Sequence, residues 1–211
     1  MNAIATIDNI LQASPVIPVI VIDDLEHAVP MAQALVAGGI TVLEVTLRTP
    51  VALQAIEKIS RAVPEAMTGA GTLLNAGDFA RAQSAGARFA VTPGLTPALA
   101  EASQKTGLPL LPGAMTPSEI IAAQELGFTR LKFFPAVSAG GIAMLQSFAG
   151  PFKDVYFCPT GGITEASAAS FLALPNVRCV GGSWLVTKEA LAARDWAEIE
   201  ARARRAVALK R

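Results

Sequence analysis

The sequence predicts a single α/β domain of the (β/α)8 TIM-barrel class, with one extra helix ahead of the barrel. Three observations carry that expectation. Eight short, apolar, β-branched runs recur roughly every 20–26 residues, the length of one strand, one helix and two short connections. Amphipathic helical patterns fill the gaps between them. The runs are apolar at consecutive positions, as parallel strands are when helices cover one face and side chains fill the other.

The segment 1–13 has the pattern of an N-terminal helix able to plug the bottom of a barrel that spans 16–209. The first strand is VIPVIVI (16–22), followed by the helical pattern HAVPMAQALVAGG. TVLEVTL (41–47) precedes PVALQAIEKISRAV, MTGAGTL (67–73) precedes NAGDFARAQSAGA, and RFAVTPG (88–94) precedes TPALAEASQKTG. LPLLPGA (108–114), RLKFFPA (130–136), VYFCPTG (155–161) and VRCVGGS (177–183) complete the strands. Their helices are TPSEIIAAQELG, IAMLQSFAG, TEASAASFLAL and one long final pattern over 188–208. Several helical patterns open on Thr or Asn and close on Gly, the residues that satisfy orphan N–H groups at helix starts and tolerate a left-handed end. No linker, low-complexity tract or charge run divides residues 1–211, so they read as one domain. An open doubly wound sheet is the alternative arrangement of the same units.

Seventeen basic and seventeen acidic side chains cancel, which removes the electrostatic footprint of a nucleic-acid binder. The longest apolar run is far too short to span a bilayer, and the first fifteen residues lack a basic leader pattern, so the expectation is a cytoplasmic protein. A mean hydropathy of +0.46 implies surface covered by a partner subunit. Cys158 and Cys179 sit in apolar strands and read as reduced core thiols.

Chemistry in this architecture gathers at the C-terminal ends of the strands. Successive strand residues alternate in direction, so Glu44, Thr46 and Arg48 share one face, opposite Val45 and Leu47. The apolar face suits the helix layer, which turns the charged one into the lumen, where Thr72 ends the third strand. Lys132 is the one lysine of six that interrupts an apolar strand, flanked by Leu131 and Phe133 on the opposite face. Burial disfavours an ammonium and so favours a neutral, nucleophilic amine able to form an imine with a ketone. A space-filling Lys132–Glu44 ion pair explains the same pattern equally well. TGG (160–162) and GGS (181–183) end the seventh and eighth strands, where barrels commonly hold a phosphate. Glycine lets backbone N–H groups approach an anion, and Ser183 adds a hydroxyl; two tight turns are the structural alternative. A metal centre finds little support. His27, the single histidine, reads as solvated near a helix start, and Asp23 and Asp24 read as caps of the helix that follows.

EVTLRTP (44–50), GAGTLLN (69–75), VTPGLTP (91–97), RLKFFPA (130–136), FCPTGGIT (157–164) and VGGSWL (180–185) resemble, in order along nearly the whole chain, the family of 2-keto-3-deoxy-6-phosphogluconate (KDPG) and 4-hydroxy-2-oxoglutarate (KHG) aldolases. The resemblance implies a class I aldolase that splits a six-carbon keto-acid phosphate into pyruvate and glyceraldehyde 3-phosphate in the Entner–Doudoroff pathway. It also implies a homotrimer working without metal or cofactor. Lys132 would be the Schiff-base lysine and Glu44 the general acid/base. Arg48 and Thr72 would hold the keto-acid carboxylate, and Pro93 and Phe134 would line the pocket. Gly161, Gly162 and Ser183 would bind phosphate, with Thr160 beside the aldehyde end. A KHG aldolase acting on a substrate without phosphate is the enzymatic rival. A non-catalytic sugar-phosphate-binding barrel is the rival from another class.

Overall fold

The computed structural model describes residues 6–209. The chain is an α/β fold of parallel strands with helices packed outside them. The strands are β1 (Val16–Ile20), β2 (Val42–Thr46), β3 (Met67–Gly71), β4 (Ala90–Val91), β5 (Leu110–Leu111), β6 (Gly113–Ala114), β7 (Arg130–Phe133), β8 (Tyr156–Pro159) and β9 (Val180–Gly182). The helices are α1 (Ile7–Gln12), α2 (Ala28–Ala37), α3 (Ala52–Ala62), α4 (Ala76–Ser84), α5 (Pro97–Thr106), α6 (Pro117–Glu125), α7 (Gly141–Ala149), α8 (Glu165–Leu172), α9 (Lys188–Ala192) and α10 (Trp196–Val207).

One sheet runs in the order β5-β4-β3-β2-β1-β9 and a second in the order β6-β7-β8. The first strand thus lies between the second and the last. Isolated parallel pairings, Phe157 with Val177 and Thr160 with Gly181, join β8 to the β9 segment. The expected strand 108–114 is broken in two. Pro112 has no N–H to donate, and at that residue the chain changes partners, from β4 to β7. The expected final helix is also two helices. Ala193 ends α9, Arg194 turns back with φ 51°, and Asp195 caps α10 by accepting from the Glu198 N–H. Apolar periodicity runs through both halves and hides that cap.

Side chains alternate as expected between two apolar clusters. Val16, Ile20, Leu43, Val45, Leu131 and Phe133 join the larger one, which fills the layer beneath the helices. Ile17, Val42, Phe89, Val91 and Leu111 face the other way and form the smaller cluster with Cys158 and Cys179, both buried. Ile10 and Leu11 of α1 complete that inner cluster. Of the helix expected over 1–13, residues 1–5 lie outside the described residues. Helix α1 is tied down by Arg130, whose Nε donates to Asp8 Oδ1 at 2.6 Å and whose Nη2 donates to Oδ2 at 3.3 Å. At the other end of the chain α10 lies directly on α2: a Cβ at Gly38 would sit 2.4 Å from that of Ala203.

The caps follow the sequence. Asn75, Thr96, Thr116 and Thr164 each accept a hydrogen bond from an N–H of the first turn of α4, α5, α6 and α8, and Gly107 closes α5 at φ 70°. Asp24 caps the short turn Leu25–His27 instead of α2 itself.

Candidate active site

Register brings the charged residues together. Glu44 stands opposite Val19 of β1 and Gly69 of β3, and Lys132 stands opposite Gly113 of β6 and Cys158 of β8. From these two sheets their side chains meet: Lys132 Nζ donates to Glu44 Oε1 at 3.2 Å, with each side chain only 4% exposed. The Phe134 ring centroid lies 5.4 Å from the same ammonium. The ion pair weighed from the sequence is therefore real. It does not exclude a reactive amine, because a proton can pass between the two groups. A buried pair is seldom the most stable way to fill space, since desolvating two charges offsets most of their attraction.

Arg48, just past β2, donates from Nε to Thr72 Oγ1 at 3.3 Å. Thr72 adopts φ 62°, a left-handed conformation that a β-branched residue holds at a cost of roughly 1–3 kcal/mol. Strain of this kind persists only where the surroundings over-determine it, and here it aims the Thr72 hydroxyl at Arg48. Thr46 shares the face of Glu44 but spends its hydroxyl on the Ile20 carbonyl, 2.8 Å away, which locks β2 to β1.

Beyond β8, Gly161 and Gly162 take φ 104° and 77°, conformations that glycine adopts without strain. A cavity of about 110 Å3 is lined by Arg48, Phe134, Thr160, Gly161, Gly162 and Ser183, together with Val19, Ile163 and Gly181. A second cavity of about 470 Å3 shares Val19, Gly162, Ile163 and Ser183 and extends to Thr164, Thr187 and Lys188. Six of the ten residues singled out in the sequence thus line one cavity. Glu44, Lys132 and Thr72 adjoin it through Phe134 and Arg48. Pro93 lines neither cavity; its carbonyl presses on Gly113, where a Cβ would come within 2.1 Å of the oxygen.

Comparison with known proteins places this arrangement. The family model for KDPG and KHG aldolase matches residues 7–202. The chain belongs to that family. A KHG/KDPG aldolase from Escherichia coli K12 is 53% identical over 200 residues, covering 95% of this chain and 94% of the relative. A 2-dehydro-3-deoxy-phosphogluconate aldolase from Pseudoalteromonas atlantica is 49% identical over 200 residues, covering 95% and 93%. Among solved structures, KDPG aldolase from Legionella pneumophila, with pyruvate captured at low pH as a covalent carbinolamine intermediate, superposes with a TM-score of 0.94. It is 48% identical and covers 97% of this chain and 99% of its own. The Zymomonas mobilis KDPG aldolase with 3-phosphoglycerate also gives 0.94, at 48% identity, covering 99% and 98%.

Within this family member, sequence reasoning passed over Val19, Ile163 and Lys188. Val19 follows from the alternation of β1 with Ile17, so its inward direction was available. Gly181 was seen as part of a turn, yet its further use is steric: a Cβ there would lie 2.2 Å from Thr160 Oγ1. Lys188 resembled any surface lysine and becomes notable only as the one charged side chain lining the larger cavity. His27 departs from its expected solvated position. Its side chain is 13% exposed, packs edge-on to Trp196 with centroids 5.7 Å apart, and lies 3.7 Å from Asp24 Oδ2. Among the described residues no three His, Cys, Asp or Glu side chains gather as a metal site requires.

Proposed function

We propose that this chain is a class I aldolase that cleaves 2-dehydro-3-deoxy-6-phosphogluconate to pyruvate and glyceraldehyde 3-phosphate, the closing reaction of the Entner–Doudoroff pathway, and that it also accepts 4-hydroxy-2-oxoglutarate. The observation that carries the reading is the buried Lys132–Glu44 pair at 3.2 Å, in a chain about half identical to relatives named for this reaction. The captured carbinolamine of the Legionella relative supports covalent chemistry of the same kind.

In this reading Lys132 gives its proton to Glu44 and adds as the free amine to the C2 ketone. Glu44 then protonates the departing hydroxyl of the carbinolamine, and water leaves as the iminium forms. As the C3–C4 bond breaks, its electron pair moves to the iminium and Glu44 takes the C4 hydroxyl proton. Glyceraldehyde 3-phosphate departs, the enamine is protonated at C3, and water hydrolyses the imine to free pyruvate and Lys132. Arg48, held by Thr72, binds the keto-acid carboxylate, for which its planar fork is suited. Phe134 and Pro93 shape the apolar wall. Thr160 stands by the aldehyde end, and Gly161, Gly162 and Ser183 bind the phosphate.

We also assign the fold to one closed (β/α)8 barrel over 16–209 with α1 below it, the whole of residues 1–211 forming one domain. Supporting closure, β1 pairs with both β2 and β9, Thr160 pairs with Gly181, and only Pro112 separates β5 from β6. A cytoplasmic homotrimer fits a charged phosphorylated substrate, a mean hydropathy of +0.46, and exposed Leu74, Ile121 and Val137. Balanced charge gives no footing for nucleic acid, and among the described residues no helix is long and apolar enough to cross a membrane.

Steady-state kinetics on both keto acids test the proposal. Wild type should release pyruvate from each, with the higher kcat/KM on the phosphorylated one, and Lys132→Ala should release it from neither. Activity in that variant contradicts the covalent scheme.

A further inference from the structure

The strand beside Glu44 carries no side chain at Gly71, the position against which the carboxylate lies. A Cβ built on Gly71 would stand 2.2 Å from Glu44 Oε1, 2.7 Å from Cγ and 2.8 Å from Cδ. A carbon atom does not come this close to a non-bonded oxygen or carbon, and Glu44, itself 3% exposed, has little room to yield. The Gly71 backbone does not account for the glycine. Its residue lies in a regular strand, paired with Thr46 and Val91, and its φ is not among the positive values. Alanine would be acceptable there on conformational grounds. The obstacle is the carboxylate.

We infer that Gly71 is a positioning residue: its missing side chain creates the recess in which the Glu44 carboxylate lies at hydrogen-bond distance from Lys132. Gly69, two residues earlier on the same face, shows the contrast. A Cβ there would meet the Phe89 ring at 2.3 Å, in the inner apolar cluster. The same strand therefore uses one glycine to seat an aromatic ring and another to seat the catalytic acid. The catalytic consequence rests on the proposed aldolase reading; the steric one does not.

Two experiments decide the matter. In Gly71→Ala, kcat should fall by roughly 100-fold, the scale of a misplaced proton-transfer group, while KM for pyruvate in the condensation direction stays within about twofold. Unchanged kcat overturns the inference, and so does a loss confined to KM. Thermal unfolding supplies the second test, which needs no turnover. Glu44→Ala with Lys132→Met removes both charges together, so no lone buried ion remains. In that background Gly71→Ala should leave the midpoint unchanged, whereas in wild type it should lower the midpoint; an unchanged midpoint in both overturns the inference. If Gly71→Ala lowers the midpoint equally in both, or fails to fold in both, the clash is not with Glu44. Wild type that never forms an imine with pyruvate would end the aldolase reading and leave this steric cycle intact.

Discussion

At the scale of single residues the site combines one costly pair with one strained turn. Thr72 holds φ 62° and positions Arg48 by accepting a 3.3 Å hydrogen bond from its Nε. Thr72→Gly should relieve the strain and stabilise the fold by up to about 1 kcal/mol, while raising KM for pyruvate; thermal unfolding and condensation kinetics measure the two effects. Arg48→Ala should raise that KM roughly 10–100-fold with little effect on imine chemistry, the cost of losing a charge-assisted hydrogen bond. An unchanged KM removes Arg48 from the carboxylate. Ser183→Ala should weaken the phosphorylated keto acid several-fold and leave 4-hydroxy-2-oxoglutarate unaffected, which paired kcat/KM values would show. Lys132 and Glu44 were legible in the sequence because a charge that interrupts an apolar strand betrays its direction by alternation, and Arg48 continues the face of Glu44 just past the strand end. Gly71 was not, because a recess is a relation between two strands and leaves no mark in either.

At the scale of elements, caps decide where helices begin, and one of them is buried. Asp78 of α4 is 5% exposed; it accepts from the Leu74 and Asn75 N–H groups and pairs with Arg81, while Asn75 Oδ1 accepts from the Asp78 N–H. Burial alone would raise its carboxyl, but those backbone and Arg81 bonds outweigh it and hold the group below its ordinary 3.8. The carboxylate is thus favoured more in the folded chain than in the unfolded one. Its stabilisation is complete above the ordinary value and drains away as pH falls through the lower folded value. Asp78→Ala should cost about 1–3 kcal/mol near neutral pH, and the gap between the two unfolding midpoints should narrow below about pH 4. A gap independent of pH would deny the carboxylate its part. Where elements were misjudged, the cause was a local override of periodicity. Pro112 ends one pairing and opens another, and Asp195 restarts a helix inside a continuous apolar pattern.

At the scale of the whole molecule, eight repeats of strand and helix were readable because each repeat shows the same two periods. The barrel expectation already set the first strand beside the last, and β1 pairs with β9; the register of that pairing was not readable, since it joins residues at opposite ends of the chain. The inner cluster with α1 fills one end of the strands, and the polar pair, the strained threonine and the glycine turns occupy the other. Light scattering should give the mass of three chains if the exposed apolar side chains are subunit contacts; a monomer contradicts that assignment. The central claim is covalent: Lys132 is the amine that captures the keto acid. Incubating the protein with pyruvate, reducing with borohydride and mapping the peptides by mass should place one reduced pyruvyl adduct on Lys132. An adduct on another lysine, or none at all, would contradict the account.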